Sequence, residues 1–410
     1  MATPKLRFKE FHEDWPKTSF QNLFIFKNGI NASKEQYGSG TKFINVLDII
    51  NNPNGITYDS IIGSVQVSQK DIDKNLVNYG DVVFQRSSET REEVGQSNVY
   101  LSKEPVVFGG FVIRGSAQVP YDPLFMNGLL KTDKVRDQIT QLSGGSTRFN
   151  IGQDSLNKVS IFLPSKEEQT KIATFLSVVD EKISQLSQKL HLLSQYKQGM
   201  MQKLFSQQLR FKADDGSEFE EWEERKLSEI SQKAMYGMNA AATEYDGINK
   251  YLRITDICEF SNSFKMDNLT SPNAELDDKY KLQLGDLLFA RTGASVGKSY
   301  LYKENDGITY FAGFLIKFSL NTNLVIPYFI FLQTLTKGFS QWVVTNSMRS
   351  GQPGINAEEY SSYIFKVPCL AEQTKIANFL SAIDQKIDVV SEQLEQAKLW
   401  KKGLLQQMFV

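Results

Sequence analysis

The sequence predicts an α+β fold: two similar, mixed strand-rich domains separated by an antiparallel coiled coil of two long helices, with pseudo-two-fold symmetry. Three observations predict it. The first is a tandem repeat. EQTKIA stands at 168–173 and again at 372–377, and residues 167–206 match 371–410 at 18 of 40 positions without a gap. A period of this kind marks a duplicated structural unit. The second is a heptad seam in both copies: Ile172, Leu176, Val179, Ile183, Leu186, Leu190 and Leu193, then Ile376, Leu380, Ile383, Ile387, Val390 and Leu394. Steps of four and three over about three heptads require a partner helix. The third is a looser correspondence between the segments preceding the helices, which are rich in aromatic and β-branched residues and bounded by Gly, Asn and Asp.

The elements follow in order. Residues 1–165 form a first domain and 166–207 a first helix. Residues 208–365 form a second domain, opening on an acidic linker at 213–224, and 366–410 a second helix. Strands are expected at 43–50, 81–86, 106–114 and 158–163, and at 251–257, 286–291, 309–318 and 363–367. Helices are expected over 122–142 and 327–344, each with proline in its first turn. Pro164 and Pro368 fit an extended lead-in to each long helix. A helix of about 40 residues is ~60 Å long, and a linker of about 15 residues reaches ~50 Å. The second helix therefore pairs most easily by running back along the first. Lys197 and Lys401 continue the seam at the same register, either snorkelling at frayed ends or touching DNA or a partner subunit.

Composition narrows the function. A chain of 410 residues, 41% hydrophobic and 23% charged, is globular and suits two to three domains. No apolar run nears the ~20 residues of a membrane helix, and the N-terminus lacks the apolar core of a signal peptide, so the expected address is the cytoplasm. Cys258, Cys369, His12 and His191 supply no disulfide framework and no Cys₄ or His₃ metal site. Net charge is −1, but 213–224 holds seven acids; without them 46 bases face 40 acids, a balance permissive of DNA binding.

The run TGASVGKS at 292–299 lacks the first glycine of a phosphate-binding loop, because Thr292 stands there. It still offers backbone N–H groups, Ser295 and Lys298 to a phosphate oxygen. No methyltransferase loop, dinucleotide fingerprint or Ser/His/Asp arrangement is present, so no catalytic residue, metal or cofactor is assigned to the chain. Candidate DNA contacts recur in both halves instead. Arg86, Ser87, Ser88 and Arg91 match Arg291 and Thr292. The loop with Ser146, Thr147, Arg148 and Asn150 matches that with Ser347, Arg349, Ser350 and Gln352. Arginine suits guanine, Asn and Gln suit adenine, and Ser and Thr suit phosphates or bases. For each arginine a surface salt bridge is an equal alternative. Asn31 and Asn239, in a shared Gly-x-Asn-Ala element, are weaker candidates that a turn would also explain.

EQTKIA leading a coiled coil, present twice, resembles the spacer helices of type I restriction–modification specificity subunits. The run GDLLFARTG at 285–293 and the segment 222–227 are similar to elements of their target-recognition domains. Repeat 1 departs after Arg86, where Ser87, Ser88 and Glu89 replace Thr-Gly-Ala. The resemblance implies that each globular domain reads one half of a bipartite, asymmetric target in double-stranded DNA, with the coiled coil setting the gap. It further implies two modification (methyltransferase) subunits and restriction (motor–nuclease) subunits as partners in bacterial defence. S-adenosylmethionine, ATP and Mg would sit on those partners, and the chain itself would be non-catalytic. The alternative is a protein–protein scaffold with two binding domains.

Overall fold

The computed structural model describes residues 2–259, 261–349 and 351–410. The chain divides into two compact units: Met1–Gln188 with Ser391–Val410, and Lys189–Val390. Each unit is a strand-rich domain plus one part of each long helix.

The first unit centres on a four-stranded antiparallel sheet in the order Phe24–Asn28, Val112–Ala117, Val82–Gln85, Ser97–Val99. A smaller sheet pairs Tyr37–Ile44 with Ser64–Val65 and, in parallel, with Val107–Phe108. The second unit repeats the central order with Met235–Tyr236, Leu315–Ser319, Asp286–Ala290 and Ser299–Leu301. The parallel pairing also returns, between Lys250–Leu252 and Thr309–Phe311. In each unit a short antiparallel pair ties the lead-in of the long helix to an upstream strand: Ser160–Phe162 with Lys17–Ser19, and Ile364–Val367 with Glu223–Lys226.

Local capping overrides several expected boundaries. The strand expected at 43–50 ends at Ile44, and Val46–Asn51 is helical. Asn45 accepts from the N–H of Leu47, and Asp48 accepts from the N–H of Asn45, a reciprocal cap that outweighs the β propensity of Val46, Ile49 and Ile50. The strand at 251–257 stops at Leu252 for the same reason, with the Arg253 N–H donating to Asp256. The expected strands 106–114 and 309–318 are each split by a tight turn, where Val112 N–H meets Gly109 O and Leu315 N–H meets Ala312 O. The helices expected at 122–142 and 327–344 are each two: Pro123–Leu130 and Asp133–Gln141, then Pro327–Thr334 and Lys337–Ser347. At each break a threonine hydroxyl donates back to a carbonyl of the preceding helix, Thr132 to Leu129 and Thr336 to Gln333, both at 2.7 Å.

The long helices span Lys166–Phe205 and Leu370–Met408. Ile183, Leu190, Leu193 and Ile387 are half-buried, and the other seam residues are buried. The start of the first helix shares a unit with the end of the second, and the end of the first with the start of the second, so the helices pair antiparallel. In the first unit Ile172, Leu176 and Val179 join Leu404, Met408 and Phe409 in the core with Trp15, Phe84 and Phe125. In the second, Met201 and Leu204 join Ile376, Leu380 and Ile383. The seam lysines each pair with an aspartate of the other long helix. Lys401 pairs with Asp180 within the first unit, and Lys197 with Asp384 at 2.5 Å within the second. None of the described helices is long and apolar enough to cross a membrane.

The repeated EQ pair anchors each helix to its domain. Glu168 is 2% exposed and Glu372 fully buried. Arg7 grips Glu168 through two hydrogen bonds of 2.7 and 2.8 Å, and the Trp15 indole donates to the same carboxylate at 3.2 Å. Arg210 and Trp222 repeat this on Glu372 at 3.1, 2.8 and 3.0 Å. The hydrogen-bonded carboxylates hold both guanidinium groups above their ordinary values. The next residue fixes the chain on either side. Gln169 donates to Pro164 O and accepts from Asp122 N–H, and Gln373 donates to Pro368 O and accepts from Ile326 N–H.

Removing one partner of such a pair leaves a buried charge, which costs about 3–5 kcal/mol. Arg7→Ala should destabilise the first unit by that amount, while Arg7→Leu combined with Glu168→Met should recover at least half. Urea unfolding with hydrogen exchange read over residues 17–30 measures both; equal losses in the two variants would show that the charge pairing is not what holds the joint.

Candidate nucleic-acid interface

In each unit one arginine follows the third strand of the central sheet: Arg86 after Val82–Gln85, and Arg291 after Asp286–Ala290. Two chain segments bond its backbone, and a third joins through the glycine beside one of them. The Ile151 N–H donates to Arg86 O at 3.0 Å, and Ile355 N–H to Arg291 O at 2.9 Å. This docks the polar loops: Asn150 lies opposite Ser87, and Gly354 opposite Thr292. The arginine N–H donates in turn to Phe111 O or Phe314 O, at 2.8 and 3.0 Å. Just before those aromatics, Gly110 N–H bonds Ile30 O and Gly313 N–H bonds Met238 O. The Gly-x-Asn-Ala elements with Asn31 and Asn239 thereby join the same end of the sheet. Their glycines are needed for close approach, since a Cβ at Gly29 or Gly237 would lie 2.3 Å from Gly109 O or Ala312 O.

The side chains differ between the units. In the first, the Ser87 hydroxyl donates to Asn150 Oδ1 at 2.5 Å, and Arg91 sits 5.2 Å over the Phe149 ring. Arg86 makes one long bond, 3.4 Å, to Gly110 O. Ser146, Thr147 and Arg148 are exposed. In the second unit, Arg291 lies 5.1 Å over Tyr236 and 5.7 Å over Phe314. Behind it, the buried Tyr360 hydroxyl donates to Ala290 O and accepts from Gly297 N–H, while its ring stacks on Phe289 at 4.7 Å. Burial pushes that phenol up, so it stays a donor.

The arginines divide by partner. Arg7, Arg114, Arg210, Arg225, Arg253 and Arg349 each pair with a carboxylate. Arg136 donates to Glu92 O and Val94 O. Among the described residues Arg86, Arg91, Arg148 and Arg291, like Arg136, have no carboxylate partner; those four, unlike Arg136, were singled out in the sequence.

Other candidates have internal partners. Ser88 is buried and donates to Glu93, and Ser347 is buried with its hydroxyl toward Val344 O. Arg349 is held by Glu359. Lys298 donates to Ile257 O at 3.3 Å and lies 3.9 Å from Glu259. A DNA contact by these residues would have to displace those partners. The backbone cradle expected at 292–299 is taken up in part: the N–H groups of Gly293, Val296, Gly297 and Lys298 donate within the domain. The segment leads into the strand Ser299–Leu301, not the helix of a nucleotide-binding loop. Thr292, Ser295 and Gln352 line the same loop, with Gln352 against Gly293. Ser350 lies outside the described residues. Among the described residues no group of three or more His, Cys, Asp or Glu could hold a metal ion.

Sequence reasoning missed three aromatics. Phe111 is 64% exposed, Phe314 56% and Tyr236 40%. Phe111 and Phe314 stood inside runs read as continuous strand, FGGFVI and FAGFLI. The glycine before each aromatic in both copies was the available signal for a turn that turns the ring outward.

A family model, "Type I restriction modification DNA specificity domain", matches the chain twice, over residues 12–194 and 219–399. The type I restriction enzyme StySPI specificity subunit of Salmonella potsdam is 24% identical over 345 residues, 80% of this chain and 73% of that protein. A putative type I restriction enzyme MjaX specificity subunit of Methanocaldococcus jannaschii is 23% identical over 420 residues, 98% of this chain and 94% of that one. Among solved structures, the S subunit of a type I restriction-modification system from M. genitalium shares the fold with a TM-score of 0.58. Its identity is 19%, covering 100% of this chain and 99% of that one.

The two close glycine approaches hold the Gly-x-Asn-Ala elements beside the arginines. Overpacking at such a point costs about 1–3 kcal/mol. Gly237→Ala should lower the stability of the second unit by this amount, whereas Gly216→Ala, in open space but at φ +87°, should cost less. Thermal melts of the full chain compare them; equal losses would mean the approach is not tight.

Proposed function

Because the chain belongs to the type I restriction-modification DNA specificity family, we propose that each unit reads one half of a bipartite, asymmetric DNA target through the end of its central sheet. The observation that carries this is the distribution of arginines: apart from Arg136, which two backbone carbonyls hold, those lacking a carboxylate partner gather where Arg86 and Arg291 end equivalent strands. A guanidinium without a counter-ion is suited to phosphate and base edges. The differing side chains on matching backbones support two different half-sites.

In this reading the chain catalyses nothing and holds no cofactor. Two modification subunits supply adenine methylation with S-adenosylmethionine, and restriction subunits supply ATP- and Mg-dependent cleavage, in the cytoplasm. The paired helices set the unread gap and help dock the modification subunits.

The direct test is methylome sequencing of cells expressing the chain with its modification subunit. A split adenine-methylated motif should appear and vanish on deletion of the chain; none, despite an assembled complex, would favour a protein scaffold. Exchange of the first unit should change one half of the motif only. The exchange must carry 391–410 as well as 1–188, because Ile172, Leu176 and Val179 pack with Leu404, Met408 and Phe409 in that unit's core. Binding should also weaken steeply with salt through counterion release, and Arg148→Ala should reduce the log–log slope by about one. A slope unchanged by Arg148→Ala would remove that residue from the DNA contact.

A further inference from the structure

We infer that Arg291 determines specificity in the second half-site by reading a guanine; the inference rests on the DNA-reading function proposed above. Its guanidinium lies against two rings, 5.1 Å over Tyr236 and 5.7 Å over Phe314. The Tyr236 ring and the Phe314 backbone are each tied to the fold. The Tyr236 hydroxyl accepts from Ala357 N–H at 3.1 Å, and Phe314 O accepts from Arg291 N–H. The Nε of Arg291 is buried and has no acceptor among the described residues. No carboxylate or carbonyl among the described residues takes its terminal nitrogens either. A half-buried arginine lying against aromatic faces, with no hydrogen-bond acceptor among the described residues, is preorganised for one supplied from outside.

The surroundings favour a base over a phosphate. The two neighbouring cations of this unit's candidate set are engaged: Lys298 with Ile257 O and Glu259, Arg349 with Glu359. The N–H groups of Gly293, Val296, Gly297 and Lys298 donate internally, so they add no cradle. A phosphate here would meet a single cation. Guanine instead presents two adjacent acceptors, N7 and O6, in one plane, matching a planar fork whose orientation the rings restrict. The first unit has no such brace on the equivalent arginine. Asn28 stands where the second unit has Tyr236, and Arg86 bonds Gly110 O. A guanine requirement set this way therefore belongs to one half-site.

The test uses the full chain with its modification subunits, wild type and Arg291→Lys. Lysine keeps the charge but not the fork. Methylome sequencing should show Arg291→Lys relaxing one guanine in one half of the motif while the other half is unchanged. Substituting 7-deazaguanine, which lacks the N7 acceptor, at that position should weaken wild-type binding about 10-fold and leave Arg291→Lys nearly unaffected. Phe314→Leu, which removes one face of the brace, should give a partial loss of discrimination at the same base. The inference is overturned if Arg291→Lys keeps every guanine requirement, or if no guanine is sensitive to the 7-deaza substitution. It is also overturned if Arg291→Lys loses all binding with an unchanged melting profile. A wild-type chain that produces no split motif would defeat the DNA-reading function itself, an outcome distinct from a preserved motif in the lysine variant.

Discussion

Each unit depends on a carboxylate buried in the first turn of a long helix. A buried charge is tolerated only when paired and hydrogen-bonded. Glu168 and Glu372 meet that condition with one arginine and one tryptophan each, all drawn from the chain well upstream. The arrangement admits one docking of helix on domain, because a shifted helix would strand the charge. Replacement by apolar residues could supply similar stability but not that geometric selectivity. The neighbouring Gln169 and Gln373 extend the constraint to the proline lead-in and to the start of the helices Pro123–Leu130 and Pro327–Thr334. This explains why EQTKIA and the Leu-Arg-Phe-Lys runs at 6–9 and 209–212 recur together. Phe8 on Phe175 and Phe211 on Phe379, ring pairs 5.9 and 5.6 Å apart, complete the two joints.

Periodic features were legible in the sequence because periodicity reports burial directly. The seam residues from Ile172 to Leu394 are buried or half-buried as their spacing requires. Strand centres such as Val82–Gln85 and Asp286–Ala290 were legible too, being short, apolar and bounded by turns. Features set by single side-chain bonds were not. The cap at Asn45 turns apolar residues suited to a strand into a helix, and Thr132 and Thr336 break apparently continuous helices. The ion pairs of Lys197 and Lys401, read from the sequence as snorkelling or as outward contacts, were not legible because their aspartates, Asp384 and Asp180, lie about 190 and 220 residues away in the chain and cannot be matched by local pattern.

The candidate interface was legible as a set of loops but not as a set of side chains. Residue type alone did not separate Arg148, which is free, from Arg349, which Glu359 holds, or Lys298 from a phosphate contact. What separates them is a partner contributed by another segment, and no spacing rule shows it. The same limit hid Tyr236, Phe314 and Phe111, whose exposure follows from a turn inside a strand-like run.

The two units keep one backbone scheme and vary what it carries. Ile151 on Arg86 and Ile355 on Arg291 are the same bond, as are Gly110 on Ile30 and Gly313 on Met238. These bonds use main-chain atoms, so they survive substitution of the side chains around them. Arg91 can stack on Phe149 in one unit and Arg291 on Tyr236 and Phe314 in the other without moving a strand. Recognition can therefore diverge at low structural cost, while the joint to the helix cannot: a change at Glu168 or Arg7 exposes an unpaired charge to the core. The identities between the two copies follow that division. They concentrate in the helices and their anchors and thin out across the strand ends, where the candidate contacts lie.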